Sequence, residues 1–364
     1  MKNNIFKFAT SELSQDAFIC WLANGFNCDN EQLKQLAIEF VKKVSGESEI
    51  RKVEIKHQYK KIDVLLLVND TVAVIIEDKT FTGEHDEQIK KYKDTIMNES
   101  QYKNYKVRIV FLKTGFMYDN DRLTAKKVMD ADGTVIDRKT LKDILLKYNG
   151  KCNSEILDDY YKSLTDLDEW YITYGDFKRL TEDCHWEWNI AKNQIAQYNL
   201  MREFFPDEEN EYIYHGSSSG RPWTEHVIHE GKREEYSLFW RIDTDNKGPY
   251  VSLRIYPADK WFDKKDDRKK QINEDRYKKY SEEAKKYFEQ GQDILGWTWD
   301  DVYPGWRGGC REAAIITYHL NDALKDWDKL GQMVVQNIRK ITDDFVGDIC
   351  LKVDAEMKVY ENTI

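Results

Sequence analysis

A chain of 364 residues with 41% hydrophobic and 13% aromatic residues has the length for about two packed domains and the composition of a globular protein, despite 34% charged residues. The formal net charge of -10 argues against coating nucleic acid by bulk electrostatics, but it is uneven: +2 over residues 1–150 and -12 over residues 151–364. No run approaches about eighteen apolar residues, the first residues lack the apolar core of a signal peptide, and the 6 cysteines are scattered singly, so the expectation is a cytoplasmic protein without membrane contact, disulfide scaffold or structural zinc.

Behind Ser11, the run Glu12 to Leu22 carries Leu13, Ala17, Cys20 and Trp21 at helical spacing, which predicts a first helix with those residues on its apolar side. Glu12 and Asp16 then lie one turn apart near the positive end of the helix dipole, Asp16 being read as a surface acid. Leu33, Leu36, Ala37, Phe40 and Val44 predict a second helix. The period then switches to two, and Val53–Tyr59, Ile62–Val68 and Val72 to Asp78 read as an antiparallel meander with a turn at Asn69-Asp70. A charged helix from about Asp86 to Met97, a buried strand from Val107 to Leu112 and a helix after Asp137 complete one α/β domain. The Tyr-rich acidic stretch from Asp158 to Tyr174 ends at Gly175 and is the expected junction between domains of residues 1–175 and 176–364. Beyond it, helical spacing from Trp186 to Phe205 precedes strands at Tyr236 to Asp243 and Tyr250 to Tyr256, which flank the turn Asp245-Asn246-Lys247-Gly248. A mixed-charge run over residues 258–290 reads as a long solvated helix, so this half is expected to be an α+β domain.

Alternation along the third strand puts Ala73, Ile75, Glu77 and Lys79 on one face and Asp78 on the other. Ending an apolar strand in Glu77-Asp78-Lys79 is costly unless those charges reach water, a metal ion or each other. Pairing about the Asn69-Asp70 turn brings the lone acid of the preceding strand, Asp63, beside Glu77. Two carboxylates side by side on rigid strands suit a hard cation such as Mg²⁺ or Mn²⁺. Lys79 can then orient a water and stabilise the charge developing on phosphorus, and Glu12 of the first helix can supply a third carboxylate. This is equipment for hydrolysing a phosphodiester.

Asp63 followed by Glu77-Asp78-Lys79 resembles the PD-(D/E)XK nuclease superfamily, in which an Asp and a Glu-x-Lys sit on adjacent strands of a restriction-endonuclease-like core. Gln88-Ile89-Lys90-Lys91-Tyr92 is similar to the Gln-x-x-x-Tyr element of the exonuclease-like branch, and Glu12 is similar to that branch's first-helix acid. Ile62 stands where the family pattern has Pro. The resemblance covers about residues 5–150, with a looser likeness to bacterial members that carry an added C-terminal region. It implies a central mixed sheet flanked by helices, Mg²⁺ or Mn²⁺ on Glu12, Asp63 and Glu77, catalysis by Asp63, Glu77 and Lys79, and support of the site and nearby phosphate by Gln88 and Tyr92. It also implies DNA as substrate, with defence against foreign DNA as the first expected role and repair or recombination as the second. The rival reading is a binding or assembly protein that keeps the fold without turnover.

Elsewhere, Gly216-Ser217-Ser218-Ser219-Gly220 fits a Gly-x-Ser-x-Gly elbow, but Arg221-Pro222 disfavours the helix that elbow must open, so it reads as a flexible loop. Trp223, Trp240, Trp261, Trp297, Trp299 and Trp306, interleaved with Arg221, Arg241, Arg254, Arg307 and Arg311, read first as core aromatics and second as a stacking platform for bases. The C-terminal half is expected to serve specificity, regulation, self-association or contact with a protein partner.

Overall fold

The computed structural model describes residues 4–80, 83, 88–181, 190–206, 212–218, 221–231, 235–258, 265–289, 296–299 and 312–363. It divides into two compact units, Met1–Ile172 and Thr173–Ile364. In the first, helices α1 (Glu12–Asn24) and α2 (Glu31–Ser45) precede strands β1 (Val53–Tyr59), β2 (Ile62–Val68) and β3 (Val72–Lys79). Asn30 caps α2 by accepting the Leu33 N–H, and Gly46 ends it at φ 74°. Then come α3 (Gln88–Met97), β4 (Lys106–Lys113), α4 (Asp119–Asp130), β5 (Thr134–Asp137), α5 (Arg138–Leu146) and α6 (Glu155–Gly175). Among the described residues the strands form a mixed sheet in the order β1-β2-β3-β4-β5, antiparallel from β1 to β3 and parallel from β3 to β5.

Helices cover both faces of this sheet. Val64, Leu66, Val68, Val74 and Ile76 pack with Phe18, Leu22, Phe40, Leu141 and Leu164 on one side. Leu65, Leu67, Ala73 and Ile75 pack with Tyr92, Ile96, Ala125 and Val128 on the other. Strands buried on both faces read as continuous apolar runs, as β2 and β3 do. The α/β architecture is the expected one.

Several local expectations change. The buried face of α1 is Gln15, Asp16, Phe18, Ile19, Leu22 and Ala23, whereas Leu13 is 58% exposed. The rotation follows Phe18, which stacks on Tyr160 at 3.5 Å and meets Phe6 edge-on at 5.9 Å. Asp16 is therefore buried, not a surface acid. Helix α4 and strand β5 lie in sequence read as connection. In α4 the apolar Leu123 and Met129 are exposed while Asp119, Asp121 and Thr124 are buried, which blurs its period, and β5 is only 4 residues long. The stretch expected as a junction is helix α6, whose Leu157, Tyr160 and Leu164 belong to the core of the first unit.

The second unit holds α7 (Ile190–Phe204), β6 (Ile213–Ser218), β7 (Arg221–Glu230), β8 (Tyr236–Asp245), β9 (Gly248–Pro257), α8 (Asp267–Glu289), β10 (Trp297–Trp299), β11 (Ala313–His319), α9 (Asn321–Lys325), α10 (Trp327–Asp344) and α11 (Cys350–Thr363). Among the described residues its strands form an antiparallel sheet in the order β10-β11-β9-β8-β7-β6. The expected hairpin is present, with Asp245 opposite Gly248. Of the helix expected from Trp186, residues 186–189 lie outside the described residues. Helix α8 buries a stripe of Ile272, Arg276, Tyr277, Tyr280 and Ala284, so it is amphipathic rather than wholly solvated. The expected Gly-Ser loop is strand up to Ser218, which pairs with Arg221; Trp223 packs so closely on Gly216 that a Cβ there would lie 2.3 Å from the ring. Ser219 and Gly220 lie outside the described residues. Trp240 and Trp297 are core residues in edge contact at 5.9 Å, and Arg241 and Arg254 are engaged by Glu225, Asp243 and Glu312. Trp261, Trp306, Arg307 and Arg311 lie outside the described residues. Among the described residues no helix is long and apolar enough to cross a membrane.

The ends of β3 and β4 are locked together where the chain leaves them. The Thr114 N–H donates to the Lys79 carbonyl at 3.1 Å, and Gly115 passes Thr80 so closely that a Cβ would fall 1.6 Å from the Thr80 carbonyl oxygen. Backbone cannot yield as a side-chain tip can, so Gly115→Ala should destabilise the first unit by about 3 kcal/mol or more. Urea unfolding followed by tryptophan fluorescence measures this, and an unchanged midpoint would contradict it.

Candidate active site

The register from Val68↔Val72 to Val64↔Ile76 continues toward the strand ends, where the Asp78 N–H donates to Asp63 Oδ2 at 3.1 Å. Lys79 Nζ lies 2.6 Å from Glu77 Oε1 and 3.9 Å from Asp63 Oδ2. The Glu77 side chain is 1% exposed, so its charge depends on neighbours rather than on water. Burial works against the Lys79 charge, but Glu77, Asp63 and Glu12 outweigh it and hold the ammonium above its ordinary pKa. Lys79 is therefore a cation here, suited to orienting and stabilising rather than to accepting a proton.

Glu12, at the first position of α1, reaches the same strand end and accepts the Thr80 N–H at 3.2 Å. Gln88 and Tyr92 stand one turn apart on α3, with Gln88 Nε2 donating to Tyr92 Oη at 3.4 Å. The Tyr92 phenol is pushed up by burial and by the charges of Glu77 and Asp63, against which Lys79 acts. The residues expected from sequence are thus gathered at one end of the sheet. Among the described residues, however, no three His, Cys, Asp or Glu side chains are disposed as a ready metal cage. Asp63 and Glu77 instead flank the Lys79 ammonium. Their chemistry, two carboxylates with only oxygen donors, fits a hard divalent cation.

Two further groups escape a reading of sequence alone. Lys113 is the in-register neighbour of Lys79 on β4, and its Nζ lies 3.3 Å from Asp121 Oδ2 of α4, both side chains 1% exposed. Burial lowers the Lys113 pKa, opposed by Asp121 and Glu12. Asp121 Oδ2 also accepts the Tyr118 N–H at 3.1 Å. The alternation Ile109, Phe111, Lys113 is the signal for it, but it becomes informative only once the parallel register is known.

On the other face, Gln15 donates to Asp78 Oδ1 and accepts from Thr114 Oγ1 at 2.6 Å and from Tyr160 Oη at 3.1 Å. Burial, followed by the charge of Asp63, pushes Asp16 up to about 6, and burial raises Asp78 as well. Helical spacing from Gln15 through Ile19 and Leu22 is the signal that this face of α1 turns inward.

The sign of the Asp16 effect is definite. A carboxyl whose folded pKa, about 6, exceeds its ordinary 3.8 adds stability that is full below 3.8 and lost as pH rises through 6. Asp16→Asn, measured in chelator, should therefore melt above wild type at pH 7, with the gap closing toward pH 4; parallel melting profiles would contradict this. For the Lys113–Asp121 pair, Lys113→Ala should cost about 3–5 kcal/mol by stranding a buried charge, and Lys113→Met with Asp121→Leu should recover much of it. Chemical denaturation of the single and double variants provides the cycle, and strictly additive losses would contradict it.

No curated protein and no solved structure gives a significant match to the chain. The family model of the PD-(D/E)XK nuclease superfamily matches residues 3–179. That stretch contains the five-stranded mixed sheet, the Asp63 and Glu77-Asp78-Lys79 strand ends and helix α3. Residues 3–179 thus form a domain of the PD-(D/E)XK nuclease superfamily.

Proposed function

We propose that the protein is a divalent-metal-dependent deoxyribonuclease whose site is Asp63, Glu77 and Lys79, with Glu12, Gln88 and Tyr92 around it. The observation that carries this reading is the buried Lys79 ammonium held against Glu77 at 2.6 Å, with Asp63 on the adjoining strand. Asp63 and Glu77 would hold Mg²⁺ or Mn²⁺, with Glu12 and the Ile76 or Asp78 carbonyl as further oxygen donors. Bound there, the cation supplies Lewis acidity at the phosphoryl group and lowers the pKa of a water.

The chain's own groups account for the rest. Lys79, kept charged by its carboxylates, orients the attacking water in line with phosphorus and meets the negative charge that builds on the phosphoryl oxygens. Glu77 fixes the aim of that ammonium. Gln88 and Tyr92, joined on one face of α3, present an amide and a phenol to the substrate phosphate beside the site. Superfamily membership supports a nucleic-acid substrate, and the +2 net charge of residues 1–150, against -12 for the remainder, favours contact through the first unit. We assign the second unit to specificity, regulation, self-association or a protein partner, and defence against foreign DNA as the cellular role.

The test is cleavage of circular single-stranded, circular duplex and linear duplex DNA, with an RNA control, in Mg²⁺ or Mn²⁺ and in chelator. Wild type should cut DNA only with metal, and Asp63→Ala, Glu77→Ala and Lys79→Ala should each lose at least about 10²-fold in rate. Equal cutting by all four proteins, or none by wild type, would sink the proposal and favour a fold retained for binding.

A further inference from the structure

Gln58 lies across from Asp63 on β1. The register pairs His57 with Val64 and Tyr59 with Ile62, with no ladder pair between them at Gln58 and Asp63. The backbone of Gln58 is left-handed there, at φ 50°, a conformation that residues with a side chain adopt at a cost. The β1–β2 turn, where Lys60 and Lys61 also have positive φ, does not account for this, because Tyr59 returns to the ladder in between.

The kink has a specific result. Gln58 Nε2 donates to Asp16 Oδ2 at 2.9 Å and to Asp63 Oδ1 at 3.4 Å. Asp63 Oδ2 is held from the other side by the Asp78 N–H at 3.1 Å. The Asp63 carboxylate is thus gripped at both oxygens, and its rotation about χ2 is constrained in an orientation that keeps it toward Lys79. A neutral amide suits the task. It has two N–H donors for two acids, where a lysine would add a competing cation and a glutamate would repel both partners. Backbone strain next to functional carboxylates, where an irregular strand redirects a side chain, points to a positioning device.

We propose that Gln58 is a positioning residue for Asp63, fixing its carboxylate for the divalent cation while tying it to the buried acid Asp16 of α1. The proposal rests on the metal-dependent reading of the site. Its test separates the two by measuring Mn²⁺ binding directly, from the loss of the free-ion electron paramagnetic resonance signal, on the full-length chain. Wild type, Asp63→Ala, Gln58→Gly and Gln58→Glu are compared, together with their melting temperatures and with kcat and KM on DNA.

Glycine relieves the left-handed backbone and removes the amide. Gln58→Gly should therefore melt at or above the wild-type temperature and yet bind Mn²⁺ about 10-fold or more weakly, with the loss in kcat rather than KM. Gln58→Glu, of equal length but without donors, should lose at least as much affinity. If Gln58→Gly binds Mn²⁺ as wild type does, the kink is an irregularity of β1 and the proposal falls while the nuclease reading stands. If Gln58→Gly melts lower and loses affinity in step, the role is structural and the proposal also falls. If wild type binds no more Mn²⁺ than Asp63→Ala does, the metal reading itself fails and takes the proposal with it.

Discussion

An ammonium ion on the last residue of a strand buried on both faces is tolerable only if carboxylates stand close enough to replace water. Lys79 meets that condition through Glu77 on its own strand and Asp63 on the next. The rest of the first unit can be read as what this constraint requires. Strands β2 and β3 must keep their register for Asp63 to lie beside Glu77, because a one-residue slip would turn Asp63 onto the opposite face of the sheet. Strand β4 must then end level with β3, which the Thr114–Lys79 backbone bond and the close passage of Gly115 past Thr80 secure. The second lysine that this register brings in, Lys113, needs its own acid, and α4 supplies Asp121.

Charge is compartmentalised across the sheet. On the α3 and α4 side, opposite charges meet: Lys79 with Glu77, Lys113 with Asp121. On the α1 side, acids meet acids, and burial together with the neighbouring charges raises both Asp16 and Asp78 above the ordinary carboxylate range. Asp78 lies between Glu77 and Lys79 in sequence but faces the other way, so a single strand end serves both environments. Its backbone N–H still contributes to the first, through Asp63. Without partners there, three consecutive charged residues would destabilise the strand they end.

Local patterning reached far into this site. The period-two runs, the Asn69-Asp70 turn and simple face parity were enough to bring Asp63, Glu77 and Lys79 together, because hairpin register is a short-range property. Gln88 and Tyr92 are similarly local, one helical turn apart. What escaped depends on distant contacts. Lys113 becomes meaningful only through parallel pairing with β3, which no turn specifies. The inward rotation of α1, which buries Asp16 against expectation, is tied to stacking of Phe18 on Tyr160 from the last helix of the unit. Gln58 carries no signal at all, since a left-handed glutamine inside a strand runs against every propensity. In the second unit, much of the described Trp- and Arg-rich pattern resolved into core packing and ion pairs, because β7, β8 and β9 bring Glu225, Arg241 and Arg254 together and Glu312, just before β11, joins them, while Arg221 and Trp299 stay exposed.

The Gln15 side chain has a consequence for the order of assembly. Its amide joins α1, the end of β3, the residue after β4 and α6, and its bond to Tyr160 spans 145 positions of chain. Closing so long a loop comes late in folding, after the local hairpins and helices have formed. A nascent chain emerging from the ribosome can therefore pair β1 to β3 and set out its acids early, yet cannot complete the frame behind them until residues near 160 are free to fold back.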